Sequence, residues 1–499
     1  MPSQVQAAPL APAALNADIL AMEYAVRGPI PDRAAELARE GRRTILCNIG
    51  NPQALGQQPI TWYRQVLSLT EDPSRIGRER TISAALRAPG GIGGAPDGTA
   101  TALASLEPLP NEALDAAERF LSGIATGMGA YTASQGPLFI RQAIAGFIDT
   151  RDEIASTGGR PADPEGIFLT NGASEGAKHV LEMLLAEPTD GILVPIPQYP
   201  LYSATIRKAG GRLIGYHPDE ERGWALARPA LEEALAGARA EGVSVKAIVV
   251  INPGNPTGGV LDGDTVSEVI AFAAEHGLAI IADEVYQENT YGAPFVSFAS
   301  RLGDAPVALF SLHSTSKGFI GECGHRGGYL ELRNPPPVAG HAGNFTDVLR
   351  KLASVSLCPN TAGQLLTWLM VSPPPEGTPS FDRFATERDH ILGELLSKAT
   401  MIREAFDEME GVSCFGRTGA MYLFPRLDRL PAGTTDFDYC MALLEQTGLC
   451  TVNGAGFGQR PGTHHLRIAF LPPKELLEEV LPEWVRFHDA FLRGDGRVQ

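Results

Sequence analysis

The run Ser311-Leu312-His313-Ser314-Thr315-Ser316-Lys317-Gly318 sets one lysine among hydroxyl side chains, and Gly321 to Gly328 follows with further glycines and a single arginine, Arg326. Hydroxyls and an arginine are the groups that hold a phosphate. A lysine among them is placed to attack a carbonyl rather than to sit as a surface charge. A phosphate-bearing aldehyde that forms a Schiff base with that lysine accounts for both halves of the pattern, and pyridoxal phosphate is the aldehyde that fits. The same run also reads as a polar turn before a glycine-rich loop, so the remaining sequence has to decide.

Four other segments carry groups suited to such a cofactor. Asp283 closes the apolar run Leu278 to Ala282. A carboxylate there is costly unless paired, and a protonated pyridine nitrogen is a suitable partner. Its neighbour Glu284 points to the other face if the run is a strand, while Tyr286 brings a phenol toward the same ring. Asn252-Pro253-Gly254-Asn255-Pro256-Thr257-Gly258 is a turn stiffened by two prolines. It presents the Asn252 amide to a phenolate oxygen or a carboxylate, or it is a structural turn only. Thr170 to Gly176 precedes an amphipathic run, so Ala173 and Ser174 offer backbone N–H groups and a hydroxyl to a phosphate. A plain Ser174 N-cap explains that segment equally well. Tyr199, in Pro197 to Tyr202, stacks on a ring or packs under its loop. Arg467, in His465 to Ala469, clamps a carboxylate or lies on a surface strand.

These groups have to be positioned by regular elements. Gly191 to Val194, Lys246 to Asn252, Leu278 to Asp283 and Val307 to Ser311 are short apolar runs, with helical patterns such as Asp264 to Glu275 between them. Continuous apolar strands alternating with helices predict a parallel sheet covered on both faces. Ligands in such sheets bind beyond the strands' carboxyl ends, where Asn252, Asp283 and Ser314 to Lys317 all fall. After Ser372-Pro373-Pro374-Pro375 the pattern changes to a long helix, Phe381 to about Met409, and short alternating strands. That predicts a second, smaller α+β domain. Pro89-Gly90-Gly91-Ile92-Gly93-Gly94-Ala95-Pro96 belongs to a flexible excursion between about 71 and 110, with no strand feeding it and no helix leaving it.

Bulk properties narrow the function. The chain has 499 residues, 44% hydrophobic and 20% charged, values that suit a soluble globular protein of two or more domains. A net charge of −17 argues against a nucleic-acid partner. No apolar run reaches the roughly 20 residues of a membrane span. Six scattered cysteines without a CxxC pair predict free thiols and a cytoplasmic location, and the Cys323/His325 pair lacks the second pair that a metal site needs.

Taken in order, these segments resemble the fold-type-I pyridoxal-phosphate aminotransferases. Cys47 to Thr61, Ile196 to Ala204, His313 to Tyr329, Gly419 to Tyr422 and Gly454 to Gln459 are similar to the alanine aminotransferase branch, and the resemblance spans about Tyr24 to Phe491. It implies an α/β architecture, with a mostly parallel seven-stranded sheet in a large domain and a smaller α+β domain. The divisions are a disordered tail at 1–16, an N-terminal segment at 17–65 joining the small domain, a connector at 66–118, the cofactor domain at 119–365 and the small domain at 366–499. It implies that Lys317 is the Schiff-base lysine and proton shuttle, and that Asp283 pairs with the pyridine nitrogen. Asn252 and Tyr286 bond the ring oxygen, Tyr199 stacks on the ring, and Ala173, Ser174, Ser314, Ser316 and Arg326 hold the phosphate. Tyr131 reaches the partner subunit's phosphate in a homodimer, and Arg467, Gly50 and Asn252 receive the substrate. No metal is expected. The implied reaction moves the amino group between L-alanine and 2-oxoglutarate. Glutamate with glyoxylate is the near alternative; a lyase on the same fold and a non-catalytic pyridoxal-phosphate regulator are more distant ones. The segment from about Ile76 to Glu112 is longer and richer in glycine than the resemblance implies, and it bears on substrate choice.

Overall fold

Apolar residues alternate between two cores along every inner strand of the main sheet, and that alternation explains the architecture. The computed structural model describes residues 16–20, 22, 28–87 and 108–494. The sheet's strands are β1 (Ile167–Leu169), β2 (Asp190–Pro195), β3 (Arg212–Tyr216), β4 (Ser244–Ile251), β5 (Ala279–Asp283), β6 (Leu309–Ser314) and β7 (Gly328–Arg333). Their order across the sheet is β1-β7-β6-β5-β4-β2-β3. All neighbours are parallel except the two pairs that involve β7. Every residue of β2, β5, β6 and β7 is buried, as expected for strands covered by helices on both sides.

Val249, Ile251 and Ile281 pack with Ala177, Val180 and Tyr202 on one face. Val250, Ile280 and Ala282 pack with Val266, Val269 and Phe272 on the other. By the same alternation Asp283 falls on the face of Ile281 and Glu284 on the opposite one. Helix ends follow local chemistry. Gly263–His276 starts where the Asp262 carboxylate accepts from Thr265 N at 2.8 Å, and it ends at Gly277, whose φ of 67° is the left-handed cap that glycine tolerates best.

The C-terminal part holds the long helix Pro379–Asp407 and a three-stranded sheet of Tyr422–Leu423, Leu466–Ala469 and Val452–Asn453. The chain's N-terminal strand Ile45–Leu46 pairs in parallel with Leu449–Cys450 there. Among the described residues no helix is long and apolar enough to cross a membrane.

One sequence expectation needs correcting. The stretch expected to be a flexible excursion between about 71 and 110 begins with a helix, Ser74–Arg87, and a second helix, Asn111–Gly123, follows it. Arg80 ties them together through Glu118 and Asp115 at 2.6 and 2.7 Å. The low apolar content of Ser74–Arg87 hid a helix that packs Ile76 into the core beside Val66 and Ala117. Pro89 to Pro96 lies outside the described residues.

Candidate active site

Four strand ends, those of β2, β4, β5 and β6, and one helix start converge on a cavity of about 350 Å³. Asp283 enters it from the end of β5, Ser314 from the end of β6, and Ser316 and Lys317 from the turn that follows. Ala173 and Ser174 enter from the first turn of the helix Ala173–Leu184, Tyr199 from the turn after β2, and Arg467 from the small domain. Tyr286, Arg326 and Gly50 also line it.

Asp283 is 5% exposed. Its Oδ2 accepts from the Tyr202 hydroxyl at 2.7 Å, while its Oδ1 is buried without a partner. Burial pushes this carboxyl up, opposed by the Tyr202 bond, the Val285 amide and the charge of Lys317. An orphaned carboxylate oxygen facing a cavity requires a donor from outside the chain. At the other end Arg326 Nη2 donates to Ser174 Oγ at 3.1 Å and to Asn171 O at 3.0 Å. Arg326 has a φ of 54°, a left-handed conformation that a non-glycine residue holds at a cost of about 1–3 kcal/mol. The Ser314 hydroxyl accepts from Ser316 N at 3.1 Å, and the Ser316 hydroxyl is buried without a partner. An arginine, free helix N–H groups and an unsatisfied hydroxyl at one end, with an unsatisfied carboxylate at the other, fit a phosphorylated pyridine.

Lys317 Nζ donates to Gly50 O at 2.9 Å. Arg467 is 1% exposed and, among the described residues, has no carboxylate partner within salt-bridge distance. Its Nη2 donates to Asn48 O at 2.6 Å and its Nη1 to Asn255 Oδ1 at 3.1 Å. The guanidinium lies between the Tyr422 and Phe457 rings, 4.3 and 4.7 Å from their centroids. Desolvating a cation costs several kcal/mol, and ring contacts return about 2 kcal/mol when buried. What remains favours an incoming anion.

Two expected residues are placed elsewhere. Asn252 does not reach the cavity. It is fully buried, its Oδ1 accepts from Leu261 N at 3.0 Å and its amide donates to Val296 O at 3.4 Å. The reason is register: Asn252 N still bonds to Asp283 O, so the residue continues the strand and closes the turn. Asn255, three residues on, lines the cavity and donates to the Tyr286 hydroxyl at 3.4 Å. The second Asn-Pro step of the same motif was the available signal. Tyr131 is 75% exposed and does not line this chain's cavity. Tyr202 and Tyr422 were not singled out for roles in the sequence. Tyr202 follows Tyr199 at a helical spacing of three, which was its signal.

A mostly parallel sheet with a lysine, a carboxylate and a phosphate cradle at its carboxyl rim defines a fold-type-I pyridoxal-phosphate enzyme. The family of aminotransferase class I and II matches residues 100–482. The chain is 42% identical to human alanine aminotransferase 1, over 96% of this chain and 94% of that protein. It is 40% identical to an Arabidopsis thaliana glutamate–glyoxylate aminotransferase 2, over 96% and 95%. A solved alanine aminotransferase from Pyrococcus furiosus superposes with a TM-score of 0.72 at 25% identity, covering 96% of this chain and all of that one. The chain belongs to the class I and II aminotransferases, and its cofactor is pyridoxal phosphate.

Proposed function

We propose that this aminotransferase interconverts L-alanine and 2-oxoglutarate with pyruvate and L-glutamate. The observation that carries the reading is Arg467, a buried cation with no carboxylate partner among the described residues, which shares one cavity with Lys317. Bound there, pyridoxal phosphate supplies an electron sink for breaking the substrate's Cα–H bond and a carrier for the amino group. Lys317 holds the cofactor covalently and, once released, moves the proton at the substrate Cα. The Asp283 carboxylate pairs with the ring nitrogen and is itself held by Tyr202. Tyr286 and Asn255 would hold the ring oxygen, and Tyr199 would pack against the ring. Ala173, Ser174, Ser314, Ser316 and Arg326 hold the phosphate. Arg467 takes the α-carboxylate, with Gly50 beside it. The substrates are small amino acids and 2-oxo acids, and no metal takes part. The active unit is a homodimer in which the exposed Tyr131 reaches the partner's site.

We place the enzyme in the cytosol, a reading supported by six free thiols. We also keep 17–65 with 366–499 as the small domain and 119–365 as the cofactor domain.

The cavity's cations are Lys317, Arg326 and Arg467, all committed to cofactor or α-carboxylate. Alanine's methyl needs only the space beside Ile49 and Cys323. Aspartate would strand its second carboxylate there. The kcat/KM for alanine therefore exceeds that for aspartate by at least about tenfold, roughly 1.4 kcal/mol. Measuring both donors with 2-oxoglutarate decides it, and equal efficiencies overturn the alanine assignment. Similarity to a glutamate–glyoxylate enzyme at 40% identity supports a second reading, which glyoxylate as acceptor tests in the same assay.

A further inference from the structure

Tyr422 has no part in the assignments above, yet it lines the same cavity. It is 3% exposed. Its hydroxyl overlaps the point where a Cβ on Gly50 would stand, and Lys317 Nζ is 3.1 Å from that same point. Gly50 is thus a glycine because the phenol fills its side-chain space. The ring carries the Arg467 guanidinium at 4.3 Å. The hydroxyl also shares a hydrogen bond with Tyr286, whose ring meets it edge-on at a centroid distance of 6.1 Å. In the cofactor-free protein two cations, Lys317 and Arg467, therefore flank one phenol.

An amino acid reaches this site as a zwitterion. With its carboxylate on Arg467, its ammonium comes to the region of Lys317 Nζ, whose amine it must replace, and there it lies within reach of the Tyr422 oxygen. An ammonium has no lone pair and cannot attack until it loses a proton. We propose that Tyr422 is a catalytic residue whose ionised hydroxyl takes that proton from the incoming ammonium. One N–H bond breaks, one O–H bond forms on Tyr422, and the electron pair stays on nitrogen as the nucleophile. No electrons are transferred.

Charge around the phenol supports the step. Burial pushes Tyr422 up, but the charges of Lys317 and Arg467 and the Tyr286 bond bring it below the ordinary phenol value, with Cys323 opposing. Tyr286 is held high by burial and by its bond to Tyr422. Once the ammonium's proton has moved, the carboxylate on Arg467 has offset one of the two cations. The neutral phenol is then the favoured form, so carboxylate arrival and proton uptake favour each other.

The inference rests on the aminotransferase reading for its purpose, but its first test requires no turnover. In cofactor-free protein, tyrosinate absorbance is followed against pH. One tyrosine titrates ahead of the others in the wild type and is missing in Tyr422→Phe, with Cys323→Ser retaining it. Propionate, which has alanine's skeleton without the amine, moves that titration to higher pH by occupying Arg467. In the loaded enzyme Tyr422→Phe lowers kcat/KM for alanine by at least about tenfold near neutral pH, the low end of general-base contributions. The loss shrinks as pH rises and free amine accumulates. No early tyrosine, no response to propionate, or a pH profile unchanged in Tyr422→Phe each overturns the proposal. If Tyr422→Phe does not fold, the propionate response of the wild type decides alone.

Discussion

The two faces of the sheet's carboxyl edge both bury charge, and they do so by opposite rules. On the face away from the cavity, Arg151 grips Asp152 through two bonds of 2.8 Å and donates a third to Gln287 at 3.0 Å. Glu284 accepts from Phe298 N at 2.8 Å and faces the charge of Arg151. The charges of Arg151, Asp152 and Glu284 are answered within the chain. On the cavity face, Asp283 keeps an orphaned oxygen and Arg467 has no carboxylate partner among the described residues. The difference separates structure from function: buried charge that closes on itself holds the fold, and buried charge left open marks where ligands complete it.

The largest effect belongs to the lysine. Lys317→Ala abolishes transamination, and borohydride reduction then fixes no cofactor to the protein. Turnover near the wild-type level would remove the open face from the chemistry altogether. The adjacent carboxylates give the next test. Asp283→Asn removes the charge opposite the ring nitrogen and lowers kcat by about a thousandfold, an electrostatic loss of about 4 kcal/mol. Glu284→Gln, one residue on and pointing the other way, leaves kcat within about a factor of three. Comparable losses in both variants would break the distinction between the faces.

Arg467→Lys keeps the charge but loses the planar fork and much of its stacking between Tyr422 and Phe457. We expect kcat/KM to fall by about ten- to a hundredfold for amino and oxo acids alike, roughly 1.4–3 kcal/mol. A loss confined to one substrate would mean that Arg467 reads side chains instead of the common carboxylate.

The rim of the sheet was legible in the sequence, because apolar runs that end in a polar residue show where a parallel strand stops. Asp283, Lys317 and the helix start at Ala173 follow from that rule, and the cavity gathers all three. What lies one turn further was not legible. Asn252 and Asn255 occupy equivalent Asn-Pro steps, and only the ladder bond of Asn252 to Asp283 decides which amide stays in the sheet. Arg467 reads as a surface residue in an alternating segment. Its burial depends on Asn48 and Phe457, 419 positions before it and 10 before it in the chain. Tyr422 gave no local sign, since its neighbours Lys317 and Arg467 come from two other elements.

The smallest effect tests the closed face by stability. Burial raises Glu284 from 4.5 to about 7, with Arg151 and the Phe298 amide opposing. A carboxyl with a folded pKa above its unfolded value binds a proton more tightly in the fold. Its contribution is fully present below about 4.5 and is lost as pH rises toward about 7. At about 1.4 kcal/mol per unit that loss approaches about 3 kcal/mol. Glu331 shifts in the same direction, again chiefly through burial. His313, lowered to about 3 by burial and by Arg151, has the opposite sign, since its contribution is present above the usual histidine range and fades as pH falls. Wild-type stability alone therefore mixes several slopes, and the difference between wild type and Glu284→Gln isolates one. Glutamine keeps an oxygen for Phe298 N but does not titrate. Urea unfolding at about pH 5 and about pH 8 should show the wild type losing more stability than the variant by about 2–3 kcal/mol over that interval. Equal losses would mean that Glu284 is ionised throughout and fully answered by Arg151. The closed face would then hold a permanent ion cluster rather than a carboxyl that burial keeps protonated.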